Sequence, residues 1–467
     1  MKNTLGAIRL GCNYDFKQID SIRIESEPNK HGFAVIKGVL KDYSVDTKSN
    51  IIERLKIYDI SCDSPLLFSG LIDEVNIKHI GEVFNIEIKA FTCSIHMDIT
   101  KRRRSFQNKP APYTNLFDAV ICDESKGLYI DMASGGRSQD RVIIQYDETN
   151  WAFINRVSSQ FGAVVFPSLV SDKPAVYIGV PKSGTEKSST YEFQVQKNIK
   201  EYNIASQNFE QRSESDYIDY TFESEEYLKI GTDVVFQGKK LTVYKLYIFS
   251  DKGVIKKKYV LRSRYGIYQN FIKNDRLTGL LIDGTVIDVQ GDTIKSHLSI
   301  DKQQPIDEAN WFRWNTAYTA SGQTGLYLMP QVGDTVLLYI PESDEDKAYM
   351  RSIKRSDGDT NKKTSDTAVK YLGNPYSKEI KMAPGEVLIT TTPGQMYVKM
   401  TDKDGIEVES NKDIQVISKE DITLRGKTIK MAAKEYLHYK VSDESSLSMD
   451  NLTHFKANKT IINGLIK

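Results

Sequence analysis

Roughly the last ninety residues of this chain repeat a short pattern that few folds can accommodate. Apolar pairs flank one polar residue at Ile406/Val408, Ile414/Val416, Ile422/Leu424, Ile429/Met431, Leu437/Tyr439 and Leu447/Met449. The residues between them are Glu407, Gln415, Thr423, Lys430, His438 and Ser448, and successive pairs start seven to ten residues apart. Alternation with period two puts each pair on one face of a strand and the polar residue on the other. Turn formers and charges separate the pairs, as at Ser410-Asn411-Lys412-Asp413 and Gly426-Lys427-Thr428. A rung of about eight residues spans at most ~26 Å before its turn is subtracted. It covers two side chains, worth roughly 1.5–3 kcal/mol each when fully buried. One such ribbon leaves its apolar stripe wet and its edges unpaired, so the rungs need further walls. Either one chain supplies three walls per coil, or three chains supply one wall each, or the rungs are regular hairpins of a sandwich. Gly and Ala are sparse at the corners, against the first; strands so short and uniform count against the last. The pattern therefore favours an intertwined three-chain prism.

Upstream, the alternation is longer. Ile22–Glu25, Phe33–Ile36, Arg54–Tyr58, Leu67–Gly70, Val75–Ile77 and Phe84–Ala90 read as strands, with a hairpin turn at Gly81. A helix is expected from Pro112 through Leu116, Phe117, Val120 and Ile121. A second, clearer helix has Thr149 or Asn150 as its cap, the stripe Phe153, Val157 and Phe161, and Gly162 as its stop. Strands resume at 233–236, 241–249 and 258–261, giving two β lobes with helices between them. Residues 268–355 read as about five strands of a small closed OB-type barrel, with Asp283-Gly284 as a tight hairpin turn. Residues 356–378 are polar and aperiodic, a linker.

Composition narrows the function classes. A net charge of +1 gives no argument for nucleic acid or an anionic membrane as partner. Lys101-Arg102-Arg103-Arg104 is the one dense basic run, and without interleaved aromatics it reads as solvated or salt-bridged rather than phosphate-binding. Cys12, Cys62, Cys93 and Cys122 are scattered, without metal-type spacing, and read as reduced thiols. The reduced thiols point to folding in a cytoplasm, and no signal peptide or transmembrane stretch is evident. No G-x-S-x-G, H-E-x-x-H or Walker A motif occurs, and His438 and His454 are isolated. The expectation is a protein without catalysis, cofactor or metal.

The order of parts, together with local motifs, resembles the VgrG family and the related hub-and-spike proteins of contractile phage tails. Asn150-Trp151-Ala152-Phe153-Ile154-Asn155-Arg156 through Phe161-Gly162 looks like that family's helix opening. Leu67-Phe68-Ser69-Gly70, Phe106-Gln107-Asn108-Lys109, Trp311-Phe312-Arg313-Trp314 and the run from Leu328 to Val336 match its other stretches in order.

The resemblance implies a mainly β fold: two hub β-barrel lobes with helices, an OB-fold barrel and a C-terminal triple-stranded β-helix needle. The expected division is 1–266 hub, 267–355 OB fold, 356–378 linker, 379–460 spike and 461–467 blunt tip. The needle core would be Ile406, Val408, Ile414, Val416, Ile422, Leu424, Ile429, Met431, Leu437 and Tyr439. Trp311, Trp314, Pro330, Val332 and Gly333 would pack the OB barrel, and Trp151, Phe153, Val157 and Phe161 the hub helix. Ile462, Leu465 and Ile466 would form a platform for a PAAR-type tip protein. The implied partners are two further copies in a homotrimer, a tail-tube ring or tube-adaptor, baseplate proteins and, transiently, the target membrane. The implied work is that of a contractile injection system: joining a hexameric inner tube to a threefold puncturing needle. Two other readings are a glycan-binding tail adhesin and a cell-wall hydrolase, the latter needing two carboxylates roughly 5–10 Å apart in a cleft.

Overall fold

The computed structural model describes residues 4–42, 53–61, 66–187, 192–208, 212–316, 327–354, 362–443, 445–449 and 451–459. The chain forms two compact units, Met1–Ser356 and Asp357–Lys467.

In the first unit both expected strand sets are present, and they share one sheet. Its order runs Ile8–Gly11, Arg54–Asp59, Leu66–Ile80, Val83–Thr92, Phe33–Leu40, Phe16–Ser26, Lys239–Asp251, Val254–Arg262, Ile218–Ser224, Gln194–Lys197. The seam between the sets is the antiparallel pairing of Phe16–Ser26 with Lys239–Asp251, where Ile24 faces Ile248 and both are fully buried. One hydrophobic core therefore runs through both lobes, from Ile22 and Ile36 to Phe236, Leu246 and Tyr259. A buried ion pair, Asp59 with Lys257 at 3.9 Å, also spans the two sets.

Between the sets in sequence lies a smaller helical module. Thr149 accepts the Ala152 N–H at 3.2 Å and starts the helix Asn150–Ser159. Gly162 ends it at φ +66°, and any β-carbon there would collide with the Tyr268 ring. Trp151, Phe153 and Val157 are buried in the module's core; Phe161 is half-buried at its margin, edge-on to Tyr113. The first expected helix is Tyr113–Phe117, continuing as a wider-pitched turn over Asp118–Glu124, with Pro112 just before its first residue.

The third block is a closed five-stranded barrel: Leu280–Gln290, Thr293–Leu298, Trp311–Asn315, Tyr349–Lys354 and Thr335–Ile340. Asp283-Gly284 is not its hairpin. The first strand runs straight through it, and the turn is at Gly291, φ +58°. Gly284 is needed for closeness: a β-carbon would lie 2.3 Å from the Ser296 hydroxyl on the neighbouring strand. Pro330 is buried and Trp311 and Trp314 are half-buried, while the barrel's fully inward aromatic is Phe312. Val332 and Gly333 do not pack the interior. Val332 is 66% exposed, and Gly333, at φ +97°, closes the barrel through its backbone by donating to the Val286 carbonyl at 2.9 Å.

In the second unit, the stretch read as linker contributes a strand, Lys370–Gly373, because Leu372 finds an apolar neighbour in Ile380. It opens a five-stranded antiparallel meander with Glu379–Ala383, Glu386–Thr392, Met396–Thr401 and Gly405–Glu409. A three-stranded meander follows at Leu437–Ser442, Ser445–Met449 and Thr453–Lys456. Here two of the repeated pairs meet each other: Leu437 faces Met449, and Tyr439 faces Leu447.

Candidate functional site

The register of the five-stranded meander sorts its side chains. Leu372, Ile380, Ile389, Val398 and Val408 line up across the five strands. Two residues along, Met382, Val387, Met400 and Ile406 form a second row on the same face. The opposite face is mixed: Lys381, Lys399, Glu407 and Glu409 share it with Tyr371, Leu388 and Tyr397, and Lys381 pairs with Glu386 at 3.0 Å. Among the described residues, much of the apolar face is left uncovered. Ile406 and Val408 are 74% and 56% exposed, and Leu372, Met382 and Ile389 are likewise exposed.

The next stretch goes further. Between Ser410 and Tyr436 the chain forms no strand, and no backbone-to-backbone hydrogen bond ties it to the rest of the described chain. Ile414, Val416, Ile422, Leu424, Ile429 and Met431 are each half or more exposed, Tyr439 is exposed and Leu437 half-buried. All ten residues assigned to the needle core thus present apolar surface that one chain leaves at least partly wet. At roughly 1.5–3 kcal/mol per covered side chain, the six between 414 and 431 forfeit on the order of 10 kcal/mol. Their backbone groups also lack the partners that buried peptide groups require. The tip residues Ile462, Leu465 and Ile466 lie outside the described residues.

A second feature joins the hub to the barrel. The strand Ile143–Thr149 is shared: Ile143 enters the helical core, while Ile144, with Val142 just before the strand, enters the barrel core. Arg156, 3% exposed, holds Glu148 at 2.9 Å, Glu345 of the barrel at 3.0 Å and the Ile144 carbonyl at 2.7 Å. Burial disfavours the guanidinium charge, but the two carboxylates outweigh it and raise its pKa. Ser105 donates its N–H and hydroxyl to Asp301 of the barrel, each at 2.5 Å. Burial pushes the Asp301 carboxyl above its ordinary range, partly offset by those donors. The joint residues Arg156, Glu148, Glu345 and Asp301 were not anticipated as a set. Arg156 stands in the recognised helix motif, yet its barrel partner is 189 positions away and leaves no local signal.

The basic run at 101–104 is a strand with its charges engaged: Arg102 and Arg104 on Glu124, and Arg103 on Asp147. Among the described residues no group of three or more His, Cys, Asp or Glu side chains is placed to hold a metal. His438 hydrogen-bonds Ser448. Cys12, Cys93 and Cys122 are free thiols, and Cys62 lies outside the described residues. No described helix is long and apolar enough to cross a membrane.

Comparison with known proteins agrees with this architecture. Residues 282–351 match the family model of the type VI secretion system/phage-baseplate injector OB domain. The fold is similar to that of the E. coli c3393 protein, described as a type VI secretion component structurally similar to the T4 bacteriophage tail proteins gp27 and gp5. That match has a TM-score of 0.54 at 11% identity, covering 74% of this chain and 100% of the other. It is also similar to a chain of the half-lidded Francisella PdpA–VgrG complex, with a TM-score of 0.52 at 10% identity over 86% of this chain and 87% of that one. No curated protein matches the sequence. The fold class is that of hub-and-spike proteins of contractile injection systems, mainly β with an OB-fold domain. Within that class it is the VgrG-type fold that this chain shares.

Proposed function

We propose that three copies of this chain form the central hub and spike of a contractile injection machine, and that the protein is structural rather than catalytic. The observation that carries this reading is the stretch from Ser410 to Tyr436, whose alternating apolar side chains stay half or more exposed and whose backbone makes no backbone-to-backbone hydrogen bond with the rest of the described chain. Two further copies supply that partner by repetition: each contributes one wall of a prism that none closes singly. The apolar face of the five-stranded meander turns to the same axis, ahead of the prism. The hub rings dock on a tail-tube ring or tube-adaptor and its baseplate proteins. The OB barrel passes the load to the needle, which meets the target membrane when the machine fires, and a PAAR-type protein sits on the tip. Assembly takes place in the bacterial cytoplasm. Likeness in fold to VgrG-type chains, and an OB barrel matching the injector family, support the role. Sedimentation of the purified full chain tests it. A species of three times the 53.1 kDa chain mass is expected, and a stable monomer at micromolar concentration sinks the proposal.

A further inference from the structure

A strand at the margin of a sheet offers a row of unused N–H and C=O groups, which folded proteins blunt with charge, curvature or cover. Several margins in the hub are blunted in these ways. Ile8–Gly11 follows a segment drawn across to the opposite strand, with Thr4 bridged to Val254. Val165–Pro167 is buried along its length, Thr185–Lys187 brings no apolar side chain, and Lys101–Phe106 carries paired arginines. Among the described residues two margins are open. Leu128–Asp131 ends the three-stranded sheet of the helical module, with Leu128, Ile130 and the adjoining Met132 at 58%, 52% and 40% exposure. Gln194–Lys197 ends the large sheet, with Phe193 and Val195 at 41% and 48%.

Ladder geometry identifies the unused groups. The Leu128 N–H donates to Pro174 and the Met132 N–H to Ile178, both inward, so Tyr129 and Asp131 point their amides outward. The Asn198 N–H donates to Tyr217, and antiparallel alternation then leaves the amides of Val195 and Lys197 outward. The first margin is the more acidic: Asp118, Asp123 and Asp131 stand against Lys126, with Glu124 already held by Arg102 and Arg104, whereas at the second Lys200 stands beside Lys197, itself paired with Glu214 at 3.6 Å.

We infer that the Gln194–Lys197 margin of one copy adds to the Leu128–Asp131 margin of the next, closing the three hubs into a ring by strand pairing. The two patches differ, so the contact is head-to-tail, and three of them close a ring with neither margin left open. The inference rests on the three-copy reading above.

Amide hydrogen exchange on the full chain tests it. In the assembled protein the amides of Tyr129, Asp131, Val195 and Lys197 should exchange at least ~10-fold more slowly than in a chain kept monomeric by Ile414→Asp and Val416→Asp. Val195→Pro removes an outward N–H while sparing the strand's own sheet bonds. It should release protection at Tyr129 and Asp131, far away in the sequence. Ile130→Glu should release it at Val195 and Lys197. If either variant leaves the other margin protected, the pairing is overturned. A trimer with both margins exchanging freely overturns this contact alone, whereas a chain that sediments as a monomer removes the three-copy reading and the ring together.

Discussion

In the hub, Ile22, Ile24, Ile36, Ile86 and Ile88 alternate with polar residues along their strands, and all are buried. In the C-terminal unit Ile406, Val408, Ile414 and Val416 alternate in the same way, and all are exposed. The local pattern is one and the same; the difference is where the opposing wall comes from. Ile24 meets Ile248 from a strand more than two hundred residues later, folded back across it. Ile414 stays 57% exposed among the described residues of its own chain. Alternation decides which face of a strand is apolar. It does not decide whose surface will cover that face.

That contrast can be broken experimentally. Ile414→Asp with Val416→Asp should give the largest effect on assembly. Two side chains worth roughly 1.5–3 kcal/mol each are lost in every copy, and a charge replaces each, so the total is on the order of 10 kcal/mol per trimer. Sedimentation should show monomers whose hub still melts cooperatively. The equivalent pair in the hub, Ile22→Asp with Ile24→Asp, should instead prevent the hub from folding, as read by circular dichroism. If both pairs act alike, the two units do not differ in the source of their cover.

Arg156→Met sharpens the comparison from the other side. It leaves Glu148 and Glu345 as uncompensated buried charges and should cost about 3–5 kcal/mol of first-unit stability in denaturant. Trimer mass should be unchanged at low denaturant, because the needle does not use this joint.

A smaller effect is expected of Asp301→Asn. The Asp301 pKa is raised in the folded protein, so folding favours its neutral form. Its contribution is therefore most favourable below the ordinary value of 3.8 and is lost as pH rises through the raised value. Stability of the parent relative to Asp301→Asn should fall from pH 4 toward neutrality, measured as the difference in denaturation midpoints. Val332→Ser should change stability by no more than about 0.5 kcal/mol, since the side chain stands in solvent.

Much of the architecture was legible in the chain, and the exceptions have physical reasons. The helix at 150–159 announced itself through a cap, a stripe and a stop, all local signals. Asp283-Gly284 was misleading because the dipeptide that makes a tight turn also serves where a strand must pass close to another, and only the barrel's closure shows which applies. Val332 and Gly333 shared a motif with buried Val336, yet sit on the turn before its strand. The fusion of two lobes into one sheet left no mark on either strand set, since the edge of Phe16–Ser26 reads the same whether or not it is paired.

By itself the sequence determined the period of each element, the apolar face of each strand and the ends of the clearest helix, because backbone geometry and capping act over a few residues. The tertiary structure decided which margins are sealed, which buried charges meet across the hub–barrel joint, and which apolar faces remain uncovered. Those outcomes depend on groups brought together from distant parts of the chain, and no local pattern encodes the partner.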